Sequence, residues 1–168
     1  MKKTLSIFAL MFLFSVITIN ASAQKSQVTV FDGEMYWPSF TFSKVIAVND
    51  TQGNIVLWAA ILQTQIGNSS RTVSFSTRAC APGAYSAIYN PSTQQWSNSA
   101  IANVVLNVDY DGKAYPTWNG QSATLTINKY NKKKKRIDAT LNAVVVMDGT
   151  NNTRTIQIVM KDLDVSGK

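Results

Sequence analysis

The side chains of this sequence that could do chemistry are mainly aromatic and basic. The 168 residues include no histidine and one cysteine, Cys80. Histidine is the most common general base, triad partner and metal ligand, so the familiar serine and cysteine nucleophiles lack a partner here. Arg78 lies close to Cys80 and can lower a thiol pKa, but an inert, buried cysteine is the better interpretation. We therefore predict that the protein is not an enzyme.

The carboxylates do not reverse that prediction. Glu34 is the only glutamate among 9 acidic residues, and most of the aspartates stand in turn sequences, where Asp bonds its own backbone. A glycosidase needs two carboxylates about 5 to 10 Å apart. Two pairs of carboxylates are spaced so that the members of a pair could point to the same side of a strand, namely Asp109 with Asp111 and Asp162 with Asp164. Neither pair lies in a calcium loop with a closing glutamate. We expect no metal and no cofactor.

Two tryptophans, Trp96 and Trp118, are the first candidate binding residues. Both are flanked by amide and hydroxyl side chains, a mixture that suits stacking on a sugar or contact with another protein. The alternative is that these aromatic residues fold back and cap the open ends of the domain, since single exposed apolar residues need no functional explanation. Trp58 differs from them because it lies inside an apolar run, which predicts a place in the core.

The second candidate is a basic block made of Lys132, Lys133, Lys134, Lys135 and Arg136. Without this block, the positive and negative charges after residue 23 balance, so the high isoelectric point is a local feature. A functional block would bind phosphate-rich or acidic glycans at a cell surface, whereas the alternative is a solvated hairpin tip. Tyr130 is the only aromatic residue close by in sequence, and we expect no sequence-specific nucleic-acid binding.

The first part of the chain determines where these residues must work. Residues 1–23 have the pattern of a signal peptide, with a positive start, an apolar run over 5–19 and the small-x-small site Ala21-Ser22-Ala23. The apolar run is too short for a comfortable membrane span. We predict cleavage after Ala23 and export to the periplasm or the extracellular space. The remainder, 24–168, is predicted to be one domain without a membrane span.

The C-terminal part alternates apolar and polar residues with the period of two that marks a half-buried strand. Such segments begin near Ser122, Arg136 and Thr155, and turn residues separate them. In the third segment the apolar positions change phase, which predicts a bulge near Lys161. We predict a three-stranded antiparallel meander over 122–165.

Six earlier segments are rich in β-branched and aromatic residues, which favours strands. They cover residues 27–31, 39–49, 54–63, 71–76, 84–90 and 103–110. The stretch 58–63 could be a short helix, but the residues before it favour a strand that is buried on both faces. The polar stretch 91–102 predicts an exposed loop. The whole pattern indicates an antiparallel all-β domain of roughly eight to ten strands, with a β-sandwich preferred over a closed β-barrel.

Three stretches carry a recognisable set of short motifs. Residues 31–37 place aromatic residues after an Asp-Gly opening, 82–85 form a Pro-Gly-x-Tyr turn, and 120–130 are rich in small and threonine residues. In these motifs the chain resembles small secreted β-domains of unknown function from Gram-negative bacterial envelopes, of the lipocalin-like or sandwich type. The resemblance implies an all-β fold and an envelope location, and it implies no catalytic residue. Many such domains carry a lipid-attachment motif that this sequence lacks.

Two functional hypotheses fit these observations. The first is a secreted, non-catalytic binding or envelope-associated module whose partner is an envelope glycan or another surface protein, with Trp96, Trp118 and the basic block as contacts. The second is a barrel that carries a small apolar ligand in its interior. An empty apolar cavity of roughly a few hundred Å³ would favour the carrier, and a filled core with exposed tryptophans would favour the module.

Overall fold

The computed structural model describes residues 26–40, 42–110 and 113–166. The predicted signal peptide, its cleavage site and Asp111 lie outside these residues. The described chain is all-β and antiparallel, as the sequence pattern predicted. Its strands are β1 (Gln27–Phe31), β2 (Phe42–Asn49), β3 (Ile55–Ile66), β4 (Ser69–Thr77), β5 (Gly83–Asn90), β6 (Gln95–Trp96), β7 (Ile101–Tyr110), β8 (Lys113–Ala114), β9 (Trp118–Asn131), β10 (Arg136–Met147) and β11 (Thr153–Asp164). The described residues include no helix with the length and hydropathy that crossing a bilayer requires.

One sheet runs through the domain and curls into a half-barrel. Its main path has the strand order β1-β11-β10-β9-β7-β4-β3-β2, so β1 and β2 are its two edges. Strand β9 changes partner along its length, because its first residues pair with β7 while residues 122–127 pair with β5. A single curled sheet of this kind lies between the sandwich and the closed barrel that the sequence allowed.

The predicted C-terminal meander is confirmed, with β10 between β9 and β11. Leu141 of β10 stands opposite Leu125 of β9 and Ile158 of β11, so the apolar faces of the three strands coincide. The predicted bulge near Lys161 is confirmed as well, since the register between β10 and β11 shifts directly after Ile137 and leaves an extra residue in β11.

The six earlier segments are confirmed as strands β1 to β5 and β7. The stretch 58–63 lies within β3, so the strand was the correct interpretation. Its inward residues are buried and its outward residues are half-buried, which is less than the full burial predicted for both faces. The stretch 91–102 consists of turns and bends apart from the short β6 and the first residues of β7.

The core lies on the concave face of the half-barrel, where alternate residues of each long strand point inward. Its fully buried large side chains include Trp58, Leu62, Leu106, Leu125, Leu141 and Ile158. Burial of apolar surface stabilises a fold by roughly 25 cal/mol per Å². Cys80 is the one cysteine of the sequence and is a free thiol, so this packing acts without an intramolecular disulfide.

Candidate functional site

A pocket of about 400 Å³ lies beside the β5–β6 hairpin. Its lining residues are Tyr89, Gln94, Trp96, Asn103, Asn119 and Gly120. We call this site the Trp96 pocket. Trp96 and Tyr89 are opposite each other in the hairpin, and their ring centroids are 5.7 Å apart with the rings tilted at 59°. The sequence prediction of an exposed loop around Trp96 missed this hairpin, because two residues are too few to show a strand period.

Gly120 allows the Trp96 ring to lie directly on the backbone of β9. A Cβ atom at Gly120 would lie 2.9 Å from two carbon atoms of the Trp96 ring and 3.0 Å from the carbonyl oxygen of Val104. No side chain fits at that distance without displacing the ring. The glycine therefore positions Trp96, which is half-buried and forms one wall of the pocket.

The other walls of the Trp96 pocket supply amide groups. Gln94, Asn103 and Asn119 come from three separate elements, and each is exposed. A side-chain amide both donates and accepts hydrogen bonds, whereas an indole ring offers a flat apolar face. This combination can hold a ligand that has apolar C–H faces and many hydroxyl groups, which is the chemistry of a saccharide.

Trp118, the second tryptophan singled out from the sequence, is a core residue and does not line the Trp96 pocket. It is 3 % exposed, and the guanidinium of Arg154 lies 4.3 Å from the centroid of its ring. Successive residues of a strand point to opposite faces, so Trp118 enters the core while the next residue, Asn119, lines the Trp96 pocket. Trp96 packs against the core that contains Trp118, but Trp118 is too buried to join Trp96 in a binding surface.

The half-barrel leaves a cleft of about 600 Å³ between its two edge strands. We call it the edge cleft. Its apolar lining residues are Val28, Phe40, Val45, Leu62 and Leu163, and its polar lining residues are Ser26, Gln27, Thr29, Ser43 and Asp164. Leu62 and Leu163 also belong to the core, so the floor of the edge cleft is continuous with the interior of the half-barrel. Such a cleft lies within the range of roughly 300 to 1,000 Å³ that small-molecule sites occupy.

The basic block comprises the turn between β9 and β10 and the first residue of β10, at the hairpin tip that the sequence predicted. Lys132, Lys133 and Lys134 are exposed to solvent. Lys135 and Arg136 are only partly exposed, since Lys135 donates a hydrogen bond to Asn49 and Arg136 makes ion pairs with β11. The block thus divides into a solvated part and a part that is held by neighbouring strands.

Sequence reasoning missed a charged cluster inside the half-barrel. Asp32 is fully buried and forms an ion pair with Arg71, which is also buried. Glu34 pairs with Arg71 at 2.7 Å and also with Arg154. A signal was present in the sequence, because Arg71 occupies the inward-facing position that precedes Val73 in the alternation of β4.

Asp32 is held by hydrogen bonds from several directions. The backbone N–H groups of Glu34 and Met35 donate to it at 3.1 Å each, and the indole N–H of Trp37 donates at 3.0 Å. Burial alone raises the pKa of Asp32, but the hydrogen bonds from Arg71, Trp37 and the backbone outweigh burial, so the pKa lies below its ordinary value. A carboxylate that is ionised and enclosed in this way connects the segment after β1 to β4.

Cys80 and the carboxylates of Asp162 and Asp164 are engaged in contacts within the protein. The Cys80 thiol is half-buried and donates to the carbonyl oxygen of Ile55 at 3.6 Å. Burial raises the pKa of this thiol, which is the opposite of what activates a nucleophilic cysteine. Asp162 and Asp164 both face the guanidinium of Arg136, at 3.6 and 3.5 Å. Across the described residues, no group of three or more His, Cys, Asp or Glu side chains is placed to hold a metal ion.

Comparisons with protein-family models, with curated proteins and with solved structures found no match to this chain.

Proposed function

We propose that this protein is an exported, non-catalytic β-domain that binds an envelope saccharide in the Trp96 pocket. One observation carries the proposal, namely that two aromatic rings and three side-chain amides from separate elements surround a single pocket of about 400 Å³. A sugar ring can stack its C–H face on Trp96 while its hydroxyl groups exchange hydrogen bonds with the amides. Because the domain lacks histidine, we propose that it binds this saccharide without transforming it.

The proposed location follows from the first 23 residues. A chain that is cleaved after Ala23 reaches the periplasm or the extracellular space, where envelope glycans are present. Mass spectrometry of the protein purified from the exported fraction should show a chain that begins at Gln24. An intact Met1 in that fraction would contradict the proposed export by cleavage.

The saccharide proposal can be tested with soluble peptidoglycan fragments and lipopolysaccharide core oligosaccharides, titrated by isothermal titration calorimetry, because this signal does not depend on the tryptophan that is replaced. We expect Trp96→Ala to abolish binding of the fragment that the wild-type protein binds. Asn103→Ala removes one amide, leaves the hairpin intact and should weaken binding about fivefold to tenfold, since it removes one or two hydrogen bonds. Tyr36→Ala is a matched control, because Tyr36 is 63 % exposed and lies outside the pocket.

Two results would overturn the saccharide proposal. One is binding of a fragment that is unchanged in both Trp96→Ala and Asn103→Ala, and the other is the absence of binding to every fragment. Circular dichroism of each variant establishes that the fold is retained.

A second candidate function is favoured by the edge cleft, which supports the carrier hypothesis. The cleft is half-open, has an apolar floor and reaches core residues, as expected of a site for a small apolar ligand. The two functions use different parts of the molecule. The Trp96 pocket lies beside the β5–β6 hairpin, whereas the edge cleft lies between β1 and β2.

A further inference from the structure

The edge cleft and the basic block meet at one end of the half-barrel. Lys135 Nζ donates to Oδ1 of Asn49, the last residue of β2, at 3.2 Å. Arg136 Nη1 donates at 3.1 Å to Oγ of Ser26, which directly precedes β1 and lines the cleft. The hairpin tip thus contacts both edge strands, beside the start of β1 and at the end of β2, and of these two partners Ser26 lines the cleft.

The charge of the basic block is only partly neutralised. Arg136 is balanced by Asp162 and Asp164, and Lys132 lies near Asp50. Within the described residues, no ion pair engages lysines 132–134, and all three are exposed. These exposed ammonium groups belong to the same hairpin tip as Arg136, which contacts the cleft residues Ser26 and Asp164, so they can attract an anionic group at this end of the cleft.

We propose that the edge cleft binds an amphipathic anion, with its alkyl tail between β1 and β2 and its carboxylate at the basic block. This inference rests on the carrier function proposed above and adds the chemistry of the head group. The apolar lining explains the tail, because Val28 of β1 and Val45 of β2 face a floor that contains Leu62 and Leu163. The exposed lysines account for the preference for an anionic head group.

The size of the expected preference follows from the exposure of these lysines. Ion pairs at exposed sites are each worth little, because water and salt screen them. Three such groups acting together should favour a carboxylate over a neutral head group by about tenfold at low salt. The preference should decrease as the ionic strength rises, whereas the contribution of the alkyl tail should not decrease.

The test uses three ligands that share a tail and differ in the head group: dodecanoate, dodecanol and dodecyltrimethylammonium. Their affinities for the mature protein are measured by isothermal titration calorimetry at low salt, below the concentrations at which they form micelles. We expect dodecanoate to bind about tenfold more tightly than dodecanol, and the cation to bind most weakly. Equal affinities for dodecanoate and dodecanol would overturn the head-group inference and leave the carrier function standing. Binding of none of the three would refute both.

Two variants locate the head group and the tail. Replacing lysines 132–134 by glutamine should weaken dodecanoate binding about tenfold and leave dodecanol binding unchanged. Lys113→Gln is the control, because Lys113 is exposed near the other end of the half-barrel. Ser43→Trp fills the cleft from an exposed position and should abolish binding of both ligands, whereas Asn151→Trp in the β10–β11 loop should not. An equal loss of dodecanol and dodecanoate in the lysine variant would contradict the proposal.

A second copy of the chain is the competing occupant of the edge cleft, since edge strands can pair with one another. Sedimentation velocity at increasing protein concentration tests for it. A dimer that forms without ligand and that Ser43→Trp disrupts would assign the cleft to self-association and would overturn the ligand proposal.

Discussion

Replacing Asp32 by alanine is expected to lower the free energy of unfolding by about 3–5 kcal/mol, the cost of removing one partner from a buried ion pair. Asp32 is fully buried, and it accepts hydrogen bonds from Arg71, Trp37 and two backbone N–H groups. Its removal takes one buried carboxylate away from the Arg71 side chain, which is 7 % exposed and also pairs with Glu34. The indole N–H of Trp37 also loses its acceptor.

Urea unfolding followed by circular dichroism measures this loss. The dependence of unfolding free energy on urea is typically about 1–3 kcal/mol per M for a small domain, so the midpoint should fall by about 2 M. Asp148→Ala is the matched control, because Asp148 lies exposed in the β10–β11 loop. Surface substitutions of that kind usually change stability by less than about 0.5 kcal/mol.

A double-mutant cycle with Arg71→Leu separates the ion pair from simple loss of packing. The variant that carries both Asp32→Ala and Arg71→Leu should cost less than the sum of the two single variants, because it leaves less unpaired charge buried. Strict additivity, or a midpoint for Asp32→Ala equal to that of Asp148→Ala, would refute the assigned role of the cluster.

Three further predictions concern other parts of the molecule. The pKa of Asp32 is depressed in the folded state, so its contribution to stability is present above the ordinary aspartate pKa of about 3.9 and is lost as the pH falls through the folded-state pKa. Unfolding midpoints measured from pH 7 down to pH 2 should therefore depend less on acid in Asp32→Asn than in the wild type. Gly120→Ala should cost about 1–3 kcal/mol and shift the fluorescence of Trp96, because the added Cβ overlaps the ring; unchanged fluorescence and midpoint would contradict that contact. Burial raises the pKa of Cys80, so iodoacetamide at pH 8 should alkylate this thiol more slowly in the native protein than in urea, and equal rates would argue against the described burial.

Strand positions could be read from the sequence because they depend on residues that are close together in the chain. The alternation after Ser122 predicted β9, β10 and β11, and the phase change near Lys161 predicted the bulge. A strand shows its period only over about four or more residues, so β6, with Gln95 and Trp96 alone, could not be predicted from the sequence.

Whether a tryptophan lies in the core or lines a surface pocket was harder to predict from the sequence. Amide neighbours surround both Trp96 and Trp118, yet Trp118 is in the core and its neighbour Asn119 lines the Trp96 pocket. The inward face of β9 is set by pairing with other strands, and a shift of one residue would exchange the two side chains. The types of residue around a tryptophan do not determine the pairing register of its strand.

The sequence by itself determined the all-β class, the strand segments of the C-terminal meander and the pattern of an export signal, since each depends on local periodicity or local composition. Only the tertiary structure decided that the sheet is one curled layer, that Asp32 meets Arg71 across 39 residues, and that the basic block contacts both edge strands. These arrangements depend on which distant strands pair and on how far the sheet curls. Local preferences leave both open, because packing of the whole core selects among the possible pairings.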